Sequence, residues 1–250
     1  MFNLYGTYMA YMAYMVKYSI FAEINHQKMK RKSVIIIAAC ILISAVYILT
    51  SFTEKKPRIL IIGDSISIGY TPFVRKFFTD KAIVLHNPGN AQHTGTGLER
   101  VRQWAGNEDW DIIQFNWGLW DLCYRNPESK NQGNRDKING KVTCSVAHYE
   151  ANLDSLVTIL KEISDAKLIF VTTTCVPENE VGRFTGDVVK YNKAAKRVMK
   201  KHGIPVNDIY KASILIHKKS GLGDDDVHYT PEGYEQLGKL ISDYLSKKMN

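Results

Sequence analysis

The sequence predicts an α/β fold over residues 58–250: a three-layer α/β/α sandwich with a five-stranded parallel sheet. Short apolar runs alternate along this region with longer amphipathic stretches, as in parallel strands joined by helices. The chain has 250 residues, of which 45% are hydrophobic and 23% charged. This composition is sufficient for one sizeable core, and it excludes a disordered chain or a disulfide-dense miniprotein.

Five apolar runs are predicted as strands because they are short and bounded by turn residues. In chain order they are Arg58–Gly63, Ala82–Asn87, Asp111–Asn116, Lys167–Thr173 and a weaker Pro205–Asp208.

Three helices are predicted most clearly. Val146–Ser164 places its apolar residues on one face, and a second helix covers about Asp187–Lys201. The last helix starts at Thr230-Pro231, where a capping hydroxyl precedes a proline at the first helical position. The polar segment Asn126–Lys141 is predicted as an insertion loop near the strand ends, where α/β sheets place their ligand sites.

Residues 34–52 form an uncharged apolar run, VIIIAACILISAVYILTSF. As a helix this run would be about 28 Å long, which predicts a membrane-spanning signal-anchor or a signal peptide. Basic residues cluster at 28–32 and only Lys55 and Lys56 follow. The positive-inside rule then places residues 1–33 in the cytoplasm and, after a linker at 53–57, the domain 58–250 in the periplasm or at the cell surface. The sequence leaves open an anchor, a cleaved signal peptide or a lipoprotein signal at Cys40.

Tyrosine and methionine repeat every three residues between positions 8 and 15. This spacing drifts around a helix and does not mark one face. Our hypothesis is that synthesis starts at Met29, which places a KRKS basic segment directly before the apolar run.

The formal net charge of +8 is concentrated near the start of the chain. Residues 1–57 hold 7 basic and 2 acidic residues, so 26 basic and 23 acidic residues remain in the domain, a surplus of 3. A nearly balanced domain argues against a basic nucleic-acid-binding stripe, and we expect no nucleic-acid partner. Cys123 and Cys144 flank a polar stretch, and both a disulfide and two free thiols are compatible with the sequence.

Chemistry-bearing residues stand at the two ends of the domain. The first strand ends in Gly63-Asp64-Ser65, which places a serine hydroxyl and backbone N–H groups at a helix start. A serine needs a base and a group that orients the base. Asp225 and His228 stand just before the last helix, and the carboxylate is expected to reach imidazole Nδ1 and leave Nε2 for the serine. Each feature alone is often a helix cap or a surface turn, but their order in the chain favours a catalytic site.

Together these residues resemble the SGNH (GDSL) hydrolase family over about Arg58–Leu245. The resemblance implies a flavodoxin-like fold in which Ser65 is the nucleophile and its N–H an oxyanion donor. Asn87-Pro88-Gly89 matches the second block, where Gly89 offers a second N–H. Asp225 and His228 match the last block as orienting acid and general base, and Thr230-Pro231-Glu232-Gly233 continues it.

The third block departs from the family pattern of Gly-x-Asn-Asp. Here it reads Asn116-Trp117-Gly118-Leu119-Trp120-Asp121, which looks like a subgroup with an Asn-Trp-Gly-Leu-x-Asp block. Trp120 then stands where the family has an asparagine that donates to the oxyanion. The missing donor is predicted to be either the Asn116 amide or the Trp120 indole N–H.

The resemblance implies a serine ester hydrolase that works through an acyl-enzyme without a metal or organic cofactor. The expected substrate is an O-acylated carbohydrate or another small ester of the cell envelope, because Trp110, Trp117 and Trp120 are candidates for a sugar-stacking surface. Burial in the core explains Trp110 and Trp117 equally well. The alternative function is a membrane-tethered glycan-binding module in which Trp120 has removed the catalysis. The absence of a glycine-rich phosphate loop argues against a nucleotide binder.

Overall fold

The computed structural model describes residues 4–51 and 55–249, with side chains for 8–44 and 55–249. Internal contacts divide the chain into two units, 1–55 and 56–250, which are described separately. The first unit contains one helix, α1 (Leu4–Ser51), whose described side chains are all exposed. Within the described residues, no helix combines the length and the apolar character that a membrane crossing requires. The side chains of 45–51 and residue 52 of the predicted segment 34–52, and residues 53 and 54 of the linker, lie outside this description.

The second unit is built around a parallel sheet. The described strands, in chain order, are β1 (Arg58–Ile62), β2 (Ile83–His86), β3 (Ile112–Phe115), β4 (Tyr124–Arg125), β5 (Lys141–Val142), β6 (Lys167–Val171) and β7 (Val206–Asn207). Five of them form one sheet in the order β2-β1-β3-β6-β7, and every neighbouring pair is parallel. The predicted five-stranded, flavodoxin-like sheet is thereby confirmed.

Helices cover both faces of this sheet. They are α2 (Ser65–Phe77), α3 (Thr94–Ala105), α4 (Val146–Ile163), α5 (Asp187–His202), α6 (Tyr210–Ser220) and α7 (Pro231–Met249). Helix α7 packs against α2 and α6, whereas α4 packs between α3 and α5. These two groups form the outer layers of the sandwich, as a sheet apolar on both faces requires.

The core explains the apolar runs of the sequence. Ile59–Ile62 in β1 are at most 2% exposed, because this strand lies inside the sheet and is covered on both sides. Trp110 and Trp117 are 8% and 0% exposed, so they belong to the core. The hypothesis of a stacking surface made of all three tryptophans is therefore wrong, and only Trp120 is half-buried.

Two features of the second unit were not anticipated. Helix α6 exposes Ile214 and Leu215, and this weakens the apolar periodicity by which a helix is recognised. The insertion predicted as a loop connects the two strands of an antiparallel hairpin, β4 and β5, and contains a short 3-10 turn at Gln132–Asn134. The cysteines are free thiols, so the structure does not contain the Cys123–Cys144 disulfide.

Candidate active site

Ser65 is placed by the turn that joins β1 to α2. Asp64 caps the helix, since its Oδ1 accepts a hydrogen bond from the N–H of Ile66 at 3.0 Å. A Cβ at Gly63 would lie 2.7 Å from the Ser67 hydroxyl oxygen, so only glycine fits this turn without a shift. Because Ser65 is the first helical residue, its own N–H has no partner within the helix.

The loop before α7 brings a histidine to this serine. Ser65 Oγ lies 2.8 Å from His228 Nε2, although 163 positions separate them. The neighbours Val227 and Tyr229 are both 2% exposed and anchor the loop in the core. The His228 carbonyl also accepts the N–H of Leu222 at 3.0 Å, which fixes the backbone from the other side. The expected proximity of Ser65 and His228 is confirmed.

Asp226 holds the imidazole from behind. Its Oδ1 accepts hydrogen bonds from the His228 backbone N–H at 2.9 Å and from ring Nδ1 at 2.5 Å. Burial acts to raise the pKa of Asp226, but these two hydrogen bonds together with the charges of His228 and Arg135 outweigh it and lower the pKa below its usual value. The carboxylate is therefore ionised at neutral pH. With the proton on Nδ1 bonded to Asp226, Nε2 is the acceptor for the Ser65 hydroxyl.

The expectation that Asp225 contacts the imidazole is wrong in this structure. Asp225 is exposed, and its Oδ1 lies on the side of Gly223. A spacing of two residues lets Asp226 accept the His228 N–H in an Asx turn, and this turn brings the same oxygen to the ring.

The turn after β2 corrects a second expectation. Asn87 is buried and joins the first two turns, because its Oδ1 accepts the Gly63 N–H at 2.9 Å and its Nδ2 donates to the Gly89 carbonyl at 3.1 Å. Gly89 adopts the left-handed conformation (φ +70°) and is exposed. It does not line the cavity beside Ser65, whereas the next residue, Asn90, does. The left-handed turn directs Gly89 away and Asn90 inward.

Asn90 has a free donor at the cavity. Its Oδ1 accepts the N–H of Gln92 at 2.8 Å, which orients the amide. Its Nδ2 makes no hydrogen bond to the part of the chain that the structure describes. No sequence motif points to this residue, because it is one position beyond the recognisable block.

The two donors predicted in the third block, Asn116 and Trp120, lie in different cavities. Asn116 Nδ2 donates to the Val171 carbonyl at 2.7 Å and joins the ends of β3 and β6. Asn116 lines a small cavity that does not include Ser65, and its amide is bonded to the neighbouring strand, so the structure does not place it as an oxyanion donor. Trp120 lines the same cavity as Ser65. Gly118 lets the chain turn between them, since its φ is +152° and a Cβ would lie 2.0 Å from Thr173 Oγ1.

The cavity that holds these groups has a volume of about 490 Å³. Its chemistry-bearing walls include Ser65, Asn90, Trp120, Asp226 and His228. A larger cavity of about 820 Å³ lies before the start of β3 and β6 and contains no pair of nucleophile and base. No group of three metal-ligating side chains occurs among the residues that the structure describes.

Three arginines in this cavity were not anticipated from the sequence. Arg125 is the last residue of β4, Arg135 lies in the insertion that follows it, and Arg183 precedes α5. In sequence, the first two look like ordinary charges of a polar loop. Only the folded hairpin brings them beside Ser65.

Comparisons with known proteins identify the family of the chain. The model of the GDSL-like lipase/acylhydrolase family matches residues 61–236. A search of curated proteins found no significant match.

Solved structures show the same fold. A lipase/acylhydrolase from Enterococcus faecalis is 23% identical, with a TM-score of 0.59 over 77% of this chain and 96% of that one. An acetyl xylan esterase is 15% identical, with a TM-score of 0.60 over 75% and 98% of the respective chains. An acetylxylan esterase from Geobacillus stearothermophilus is 16% identical, with a TM-score of 0.56 over 74% and 92%. The chain belongs to the GDSL-like lipase/acylhydrolase family and is a carboxylic ester hydrolase.

Proposed function

We propose that Ser65, His228 and Asp226 act as a catalytic triad for ester hydrolysis. The observation that carries the proposal is the contact of 2.8 Å between Ser65 Oγ and His228 Nε2. His228 takes the hydroxyl proton while Ser65 Oγ attacks the ester carbonyl, and the imidazolium then protonates the departing alcohol. Water next attacks the acyl-enzyme with His228 as base, which releases the carboxylic acid and restores Ser65. Asp226 holds the ring and stabilises its charged form.

The oxyanion is proposed to be bound by three donors at the cavity. The first is the Ser65 backbone N–H at the start of α2, where the helix dipole also favours negative charge. The second is the side-chain amide of Asn90, whose Nδ2 is unoccupied among the described residues. The third is the indole N–H of Trp120, which lines the same cavity. Asn90, directly after the second block, thus supplies the amide that the third block lacks.

The proposed substrate is an O-acylated carbohydrate with a small acyl group, such as acetate. Trp120 supports this proposal because a half-buried indole in a catalytic cavity offers a face on which a sugar ring can stack. Two similar solved structures are described as acetyl xylan esterases, a substrate class compatible with the same cavity.

We also propose that the hydrolase domain acts outside the cytoplasm. The support comes from the sequence, in which the basic cluster at 28–32 precedes the apolar run 34–52. Protease added to spheroplasts, whose inner membrane is intact but whose outer layers are open, should then degrade the domain. Protection until the spheroplasts are lysed would contradict this location.

Hydrolysis of p-nitrophenyl acetate by the full chain tests the triad. The wild-type protein should release nitrophenol and react with a fluorophosphonate probe, and Ser65→Ala should do neither while keeping the same melting temperature. Equal rates from both proteins would refute the role of Ser65. Binding of acetylated glycans without turnover or probe labelling would instead favour the alternative of a binding module.

A further inference from the structure

The cavity beside Ser65 carries an unusual amount of positive charge. Three guanidinium groups line it, those of Arg125, Arg135 and Arg183. An ester such as an acetylated neutral sugar has no charge that would require them. The question is therefore which of them has a partner within the protein.

Arg135 and Arg183 are paired with the same carboxylate. Their NH1 groups donate to Glu180 Oε1 at 2.7 and 2.9 Å, and Glu180 is fully buried. Arg183 Nε also donates to the Leu119 carbonyl at 2.6 Å. These contacts explain both arginines as parts of the wall, because a buried glutamate needs charged partners.

Arg125 is different. Its guanidinium carbon lies 4.7 Å from the centre of the Trp120 ring, and NH1 donates to the Gly133 carbonyl. No carboxylate lies within ion-pair distance of Arg125 in the part of the chain described. A guanidinium has five N–H groups, so one hydrogen bond leaves most of its donors unused.

Its surroundings hold Arg125 in place. The side chain is half-buried, the indole supports one face, and the Gly133 carbonyl fixes one end. A cation held in this way loses little conformational freedom when an anion binds. A planar guanidinium also matches the two oxygens of a carboxylate.

We propose that the natural ester carries a carboxylate, as an acidic sugar does, and that Arg125 binds this group while Ser65 attacks the ester carbonyl. One guanidinium with no carboxylate partner among the described residues fits one negative charge. This inference rests on the proposed function and adds the charge of the substrate to it.

Two matched esters test the proposal: 3-acetoxy-4-nitrobenzoate, which carries a carboxylate, and the corresponding neutral carboxamide. Each kcat/KM is divided by the rate of alkaline hydrolysis of the same ester, which removes intrinsic reactivity. The wild-type protein should prefer the carboxylate by roughly tenfold or more, because charge-assisted hydrogen bonds are among the stronger ones. Arg125→Gln should reduce this ratio to near one, mainly through KM, and Arg125→Lys should keep part of it.

Arg102→Gln is the matched control. Arg102 pairs with Glu162 on the surface and does not line the cavity beside Ser65. The variant removes one positive charge elsewhere, so the ratio should stay at the wild-type value. Melting curves of all variants verify that the fold is retained.

A wild-type ratio near one, or an equal loss of both activities in Arg125→Gln, would overturn the inference and leave the triad intact. Failure of the proposed function is distinguished by Ser65→Ala, which would then hydrolyse both esters as fast as the wild-type protein. Calorimetric titration of Ser65→Ala with 3-hydroxy-4-nitrobenzoate examines the Arg125 site without turnover. Binding that is lost on adding Arg125→Gln supports the inference, and absence of binding in both overturns it.

Discussion

Replacing Asp226 by asparagine should distinguish the two candidate acids of the triad. In the structure, Asp226 Oδ1 accepts the ring Nδ1 of His228 at 2.5 Å. Asparagine keeps an acceptor oxygen but has no charge, so the substitution removes the charge assistance of this bond, and hydrogen bonds to charged groups contribute about 1.5–3 kcal/mol. At about 1.4 kcal/mol for each factor of ten, kcat/KM should fall about 10- to 150-fold. Because the side chain is 40% exposed, solvent screening favours the lower part of this range.

The assay is hydrolysis of p-nitrophenyl acetate over a range of concentrations, with Asp225→Asn as the matched control. Asp225 makes no contact with the imidazole, so its substitution should change kcat/KM by less than about twofold. A larger loss in Asp225→Asn than in Asp226→Asn would refute the reasoning. It would mean that Asp225 is the functional partner of His228 during turnover.

Asn90→Ala should lower kcat about a hundredfold with little change in KM, since removal of one oxyanion donor typically has this effect; an effect on KM alone, measured with p-nitrophenyl acetate, would contradict it. Gly118→Ala should reduce the free energy of unfolding by about 2–4 kcal/mol in urea titrations, because the new Cβ would lie 2.0 Å from Thr173 Oγ1. Asp121→Asn should change the pH dependence of stability. Burial raises the pKa of Asp121 to about 7 from 3.8, so the folded wild-type protein retains a proton that the unfolded chain releases. Wild-type stability should therefore decline, relative to the variant, as the pH rises through this window, by roughly 4 kcal/mol in all. Parallel melting temperatures of the two proteins between about pH 4 and 7 would contradict this.

The sheet could be predicted from the sequence because its signal is local. A buried parallel strand such as Arg58–Ile62 is a nearly continuous apolar run, and the Gly-Asp-Ser turn that follows it indicates Ser65 as a candidate nucleophile. The proximity of Ser65 and His228 was inferred from their order relative to the strands and helices. Neither inference requires the position of a single side chain.

Two of the incorrect site predictions come from choosing the wrong one of two adjacent residues. Asp225 and Asp226 have the same side chain, and only the Asx turn determines that the Asp226 carboxylate reaches the imidazole ring. The choice between Gly89 and Asn90 likewise depends on one backbone conformation, because Gly89 is left-handed and only Asn90 lines the cavity beside Ser65. Asn116 has a side-chain amide suited to an oxyanion donor, but this amide donates to a carbonyl on the neighbouring strand. Such distinctions depend on backbone angles, which one sequence does not specify.

The hairpin of β4 and β5 stands apart from the central sheet. It is attached by backbone hydrogen bonds from Tyr124 to the Gly182 carbonyl at 2.7 Å and from Lys137 to the Val181 carbonyl at 2.8 Å. The nucleophile and its base are carried by other segments. Evolution can therefore change the length or the charge of this hairpin, and so change which ester is bound, without moving the catalytic residues.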